Sequence, residues 1–277
     1  MTRRSLLPAA AGVALATHVS AQGKGRIQQA VTRGVFGRGM PFEKMCEEAA
    51  RLGIKGFDLI GPQDFPTLKK YGLVPTMVPG GTGIREGINR VENHARMAPL
   101  TRQAIDAAAA AGAPNVIILS GERKGLPDDK GIENSVIFFN EVKAHAEDKG
   151  ITLCLELLNS KVNHPDYQCD RTAWGVEVCK RVNSPRVKLL YDIYHMQIME
   201  GDVIRTIKEN IQYIAHFHTA GNPGRHEIDN QSPQELNYTA VARAIADSGF
   251  TGWVAHEYSP TRDPLKSLEE AIRIFEV

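Results

Sequence analysis

The sequence predicts an α/β fold, a single (β/α)₈ TIM barrel, and three observations carry that expectation. Short β-branched runs alternate with amphipathic stretches at helical spacing, the pattern of a parallel sheet wrapped by helices. Eight such runs stand at 27–36, 55–60, 74–78, 115–120, 151–157, 187–193, 214–219 and 253–258. Residues 22–277 come close to the roughly 250 residues typical of one such barrel and suffice for a large single core.

Helices are expected between the runs, near 42–52, 63–71, 91–112, 132–149, 172–183, 201–211, 237–248 and 264–276. Gly53, Gly72, Gly112, Gly150 and Gly249 each follow a periodic stretch, where a left-handed residue ends a helix. Thr172 is placed to cap the fifth helix, and Asp202 opens the sixth, where a carboxylate suits the helix dipole. A doubly wound open sheet is the alternative. Its dinucleotide turn is absent, because Gly34, Gly37 and Gly39 do not have GxGxxG spacing. The loop Gly80-Gly81-Thr82-Gly83 lacks the Lys-Ser/Thr of a phosphate-binding loop.

Residues 1–21 read as an export signal. Arg3 and Arg4 precede an Ala-rich apolar run over 6–17, and Val19-Ser20-Ala21 offers small residues for cleavage. The start resembles a twin-arginine leader, so an exported, periplasmic protein is expected, or a cytoplasmic one if the leader does not function. The run is too short to span a bilayer. The catalytic barrel is assigned to 22–277. The chain carries 33 Lys and Arg against 32 Asp and Glu, so charge gives no reason to expect nucleic acid or an anionic membrane as partner. A homo-oligomer is left open. The cysteines Cys46, Cys154, Cys169 and Cys179 form no CxxC pair, which argues against a thiolate zinc site. A Cys169–Cys179 pair is not favoured.

Parallel barrels carry their chemistry at the C-terminal strand ends. The last four strands end in Glu156, Asp192, His218 and Glu257, with the neighbours Asn159, His195 and His216. Charged groups inside apolar strands are costly unless paired or bound to metal. Three carboxylates converging on one mouth would repel one another, and a divalent cation removes that repulsion. Three oxygens and an imidazole suit Mn²⁺, Mg²⁺ or Co²⁺, with catalytic Zn²⁺ also compatible. Such an ion polarises a carbonyl and stabilises an enediolate while a carboxylate moves a proton. His216 shares a strand face with His218 and reads as a satisfied core histidine. His256 faces away from Glu257, and Trp174 and Trp253 read as packing.

The stretches Glu156-Leu-Leu-Asn159, Tyr191-Asp-Ile-Tyr-His-Met-Gln197, Glu200-Gly-Asp202, Pro223-Gly-Arg-His-Glu227, Glu235-Leu-Asn-Tyr238 and Glu257-Tyr258 resemble the hydroxypyruvate isomerase family. That family belongs to the xylose-isomerase-like barrels, with ketose 3-epimerases as relatives. The resemblance implies one divalent metal on Glu156, Asp192, His218 and Glu257, with Glu156 and Glu257 as the catalytic acid/base pair. It also implies substrate contacts from His195 and from Arg225, whose fork suits a carboxylate or hydroxyl. His226 and Glu227 are expected to order the loop. Hydroxypyruvate isomerases tend to carry Gln where His218 stands, as the 3-epimerases do not. The 3-epimerases carry Glu where Val162 stands.

The expected activity is therefore isomerisation of a small hydroxy-carbonyl substrate, hydroxypyruvate to tartronate semialdehyde by default. Epimerisation of a ketose or keto-sugar is the alternative. A non-catalytic exported sugar-binding module would not need two opposed carboxylates. A metal-dependent endonuclease would need a His-rich multi-zinc site and a basic face.

Overall fold

The computed structural model describes residues 25–277, so the leader expected at 1–21 lies outside the described residues. Nine strands form one sheet: β1 (Gln28–Val31), β2 (Gly56–Phe57), β3 (Val74–Pro75), β4 (Val78–Pro79), β5 (Asn115–Ile118), β6 (Thr152–Leu157), β7 (Val187–Asp192), β8 (Ile214–Thr219) and β9 (Trp253–His256). All neighbours are parallel, in the order β3-β2-β1-β9-β8-β7-β6-β5-β4. The two ends of that order, β3 and β4, are consecutive in the chain, so the sheet is nearly closed and the barrel is the expected one.

The single strand expected at 74–78 is divided. Pro75 and Pro79 have no N–H to give a ladder. The first half bonds β2, with the Thr76 N–H donated to Phe57 O at 2.9 Å. The second turns to β5, with the Gly80 N–H donated to Ile117 O at 3.1 Å. The first strand is also shorter than expected. It ends at Val31, and Arg33–Phe36 forms one tight helical turn closed at Gly37.

The helices are α1 (Phe42–Arg51), α2 (Phe65–Lys70), α3 (His94–Ala111), α4 (Asp128–Lys149), α5 (Thr172–Val182), α6 (Ile193–Met199), α7 (Val203–Asn210), α8 (Tyr238–Asp247) and α9 (Pro264–Phe275). The five glycines expected at helix ends all have positive φ, between 68° and 89°. α4 starts four residues before the expected 132, with Asp128 and Asp129 in its first turn, where their charge suits the dipole. Thr172 is not the cap of α5. It is the first helical residue, and its N–H and hydroxyl donate to the Glu200 carboxylate at 2.9 and 2.6 Å. A distant side chain therefore does the capping. Asp202 precedes α7 in a left-handed conformation and pairs with Arg205 instead of capping the helix. α6 was not expected as a separate helix. Asp192 ends β7 and also caps α6, accepting the His195 N–H at 3.0 Å.

Between sheet and helices lies the main core, including Phe57, Phe138, Phe139, Phe217 and Phe275, each fully buried. Every such side chain contributes about 1.5–3 kcal/mol by leaving water. Inside the barrel Met77, Ile117, Cys154 and Leu190 form a small apolar plug. All four cysteines are free and buried, so Cys169 and Cys179 are not paired. No helix among the described residues is long and apolar enough to cross a membrane.

Candidate active site

Side chains alternate along a strand, so the residues two places beyond the plug also face inward. Leu190 is followed by Asp192 and Cys154 by Glu156, while His216 and His218 share the inner face of β8. The register pairs Asp192 with His218, and His218 with Ala255, two residues before Glu257. All four residues expected to hold a metal therefore converge at the C-terminal mouth. His218 Nδ1 lies 3.1 Å from Glu257 Oε2, 3.3 Å from Glu156 Oε1 and 3.9 Å from Asp192 Oδ2. One ligand atom from each residue fits within 4.8 Å of the others, so the four could hold a metal ion. Glu156, Asp192 and His218 are buried, and the Glu257 side chain keeps 21% exposure, which leaves the cluster open on that side.

Beneath this cluster stands Asp58, a residue the sequence reading missed. It follows β2 and is fully buried. Its Oδ2 lies 2.7 Å from His218 Nε2, its Oδ1 lies 3.3 Å from His216 Nε2, and Thr76 donates its hydroxyl to it. A carboxylate accepts only, so the Nε2 of His218 carries hydrogen and its Nδ1 faces the three other carboxylates. That Nδ1 is buried and has no hydrogen-bond partner. A lone pair facing three oxygens is untenable, so a positive charge belongs between them, either a proton or a cation. The donor set of three carboxylates and one imidazole fits a divalent ion. His216 is not the satisfied core histidine expected, since its buried Nε2 lies 3.3 Å from Asp58 Oδ1 without forming a hydrogen bond.

The electrostatics agree. Burial opposes charge on His218, yet Glu257, Asp58 and Glu156 outweigh it and push its pKa well above the usual range. Burial would also raise Asp58, but His216 and His218 hold it low. Burial raises Glu156, and the neighbouring Glu257 and Asp192 add to the rise. For Glu257 burial is overcome by His218 and Arg225, which bring the carboxyl down to about 2. The two glutamates are thus driven apart, as an acid and a base require.

His195 and Arg225 both border the cluster. The His195 Nδ1 accepts the Asn159 N–H at 3.1 Å, so the neutral ring carries its hydrogen on Nε2. That Nε2 is buried, has no hydrogen-bond partner and lies 3.7 Å from Asp192 Oδ2. Burial, and then the charge of Arg225, depress the His195 pKa well below its usual value. Arg225 donates to Glu257 Oε2 at 2.6 Å and lies 3.9 Å from Asp192 Oδ2. Its loop is ordered by Glu227, which accepts the Thr261 N–H at 2.8 Å, and by His226, which bonds Ser259 O at 2.9 Å. Both residues act as expected. His256 faces away, satisfied by Thr219 and Gln29.

Asp58 was legible in one respect, as an acid between Phe57 and Leu59-Ile60 that would be costly if buried unpaired. A second missed residue, His164, lines a cavity of about 280 Å³ with Glu156, Arg225 and Glu257. No strand periodicity places it there, because it sits in the loop after β6.

Comparison with known proteins extends this picture. The chain is 37% identical over 110 residues to a 2-oxo-tetronate isomerase of Cupriavidus necator, covering 40% of this chain and 41% of that protein. It is 33% identical over 114 residues to a putative hydroxypyruvate isomerase of Homo sapiens, covering 41% of this chain and 40% of that one. The matches thus span about two fifths of these relatives' length. A solved structure of an AP endonuclease, family 2, from Brucella melitensis is 27% identical, with a TM-score of 0.80 over 87% of this chain and 96% of that chain. The family model for the xylose isomerase-like TIM barrel matches residues 46–276. With four inward-facing residues that could hold a metal on a parallel barrel and a family match over most of its length, this chain belongs to the xylose isomerase-like TIM barrel family.

Proposed function

We propose that this protein is a divalent-metal-dependent isomerase of small hydroxy-keto acids. The observation that carries the reading is the unpartnered His218 Nδ1 among three carboxylates, Glu156 on β6, Asp192 on β7 and Glu257 just after β9. The names of the Cupriavidus and human relatives support a keto-acid substrate.

Glu156, Asp192, His218 and Glu257 would hold the ion. Mn²⁺, Mg²⁺ or Co²⁺ suits the set, and Zn²⁺ is compatible. When bound, such an ion supplies Lewis-acid polarisation of the carbonyl and stabilises enediolate charge. The chain's own groups do the rest. One glutamate takes a proton from the hydroxyl-bearing carbon, and a glutamate returns it to the former carbonyl carbon. The hydroxyl proton passes to the other oxygen, so the product is an isomer with no net change in atoms. His195 donates its Nε2–H to a substrate oxygen. Arg225, held beside Glu257, grips a carboxylate or hydroxyl.

The test is solvent deuterium incorporation into hydroxypyruvate, 2-oxo-tetronate and a panel of ketoses, with Mn²⁺ and with chelator. Exchange into the keto acids that chelator abolishes is expected. Exchange into none of the panel would overturn the reading. The presence of His218 rather than Gln favours ketose 3-epimerisation as the second reading, and exchange confined to ketose C3 would select it. A non-catalytic sugar-binding role would survive only if Glu156→Gln and Glu257→Gln left all function intact. The name of the Brucella relative points to nucleic acid, but 33 basic against 32 acidic side chains leave no positive excess for a phosphate backbone. Residues 1–21 are proposed as a twin-arginine export leader, and unchanged export after Arg3→Lys with Arg4→Lys would refute that route.

A further inference from the structure

The loop between β6 and α5 is built around one side chain. Asn159 Oδ1 accepts the N–H groups of Val162 and Asn163 at 3.0 and 2.8 Å, and Asn159 O accepts the His164 N–H at 3.1 Å. This turn sends Val162 outward, where it is 63% exposed, and holds His164 half-buried over the cavity. The His164 ring lies 5.2 Å from the His195 ring, centroid to centroid. Neither of its ring nitrogens bonds a protein group among the described residues. It shares the cavity wall with Glu156, Arg225 and Glu257, yet is not among the four residues that could hold a metal. The cavity measures about 280 Å³.

We propose that His164 recognises a hydroxyl on the substrate beyond the two carbons that exchange the proton, and that preferred substrates carry four or more carbons. This inference rests on the isomerase reading and assigns its substrate class. A neutral imidazole offers one donor and one acceptor, the pair a hydroxyl can meet at once. Burial, with the nearby Arg225 charge, favours that neutral form. Arg225 only donates and Glu257 only accepts, so neither alone meets both needs of a hydroxyl. A ligand lacking that hydroxyl forgoes a hydrogen bond to the half-buried ring, which discriminates against it.

The experiment compares tetronate with glycerate, reduced acids that cannot enolise, by calorimetry on the Mn²⁺-loaded protein. Wild type should bind tetronate about tenfold more tightly. His164→Ala should bring that ratio close to one, and His164→Gln, which can donate and accept, should restore most of it. Equal binding of both acids by wild type, or a preference that persists in His164→Ala, would overturn the inference. Neither acid turns over, so this outcome is independent of whether keto acids exchange deuterium, which tests the isomerase reading alone.

Discussion

Asp58 Oδ2 lies 2.7 Å from His218 Nε2, although 160 positions separate the two residues in the chain. The contact sets which nitrogen of the imidazole faces the carboxylates. Asp58→Asn keeps the shape and removes the charge behind the ligand, and Mn²⁺ affinity should fall about 10–100-fold. Calorimetric titration measures it, with the thermal midpoint as a control for folding. Wild-type affinity in a variant of ordinary stability would refute the role.

Metal binding should release a proton. The metal-free cluster holds His218 as its cation, with a pKa well above the usual range, and an ion on Nδ1 displaces that hydrogen. Apparent Mn²⁺ affinity should therefore fall as pH drops. Titrations in buffers of different ionisation enthalpy count the protons released. A count of zero at pH 7 would mean that the site is occupied in some other way.

His256 should make the fold acid-sensitive. Burial brings its pKa down to about 3, and the neutral ring is satisfied by Thr219 and Gln29. The unfolded chain takes up this proton near pH 6.5, the folded chain only near 3. Stability is therefore fully present above about 6.5 and is lost as pH falls towards 3, by up to ~1.4 kcal/mol per pH unit. Urea unfolding at pH 6 and pH 4.5 should show a shallower loss for His256→Gln than for wild type. Parallel slopes would contradict it.

Glu200→Ala should loosen the start of α5. The carboxylate accepts both the N–H and the hydroxyl of Thr172, and its removal should cost about 1–2 kcal/mol. Denaturant unfolding reads this directly, and amide exchange at Thr172 should rise at the same time.

Much of this site was legible because β6, β7 and β8 run long enough for the two-residue period to act. Glu156, Asp192 and His218 sit inside β6, β7 and β8 and could be placed on one face by counting. Asp58 could not, because β2 has two residues and its partners lie on β8. His164 was hidden for another reason, since an Asn159 turn orients it and no strand or helix repeat reports such a turn. The cap of α5 was misread because Glu200 reaches Thr172 from 28 residues away. Positions fixed by a strand repeat were readable, and partners such as Asp58 for His218 or Glu200 for Thr172 were not.

The division of the third strand has a mechanical consequence. Between β2 and β5 the wall is held by two short ladders flanked by prolines, whereas β6, β7 and β8 are joined by longer ones. The barrel resembles a hoop fastened by a clasp. Amide exchange should therefore run faster along the two-residue ladders of β3 and β4 than along β6, β7 and β8, the arc that carries Glu156, Asp192 and His218.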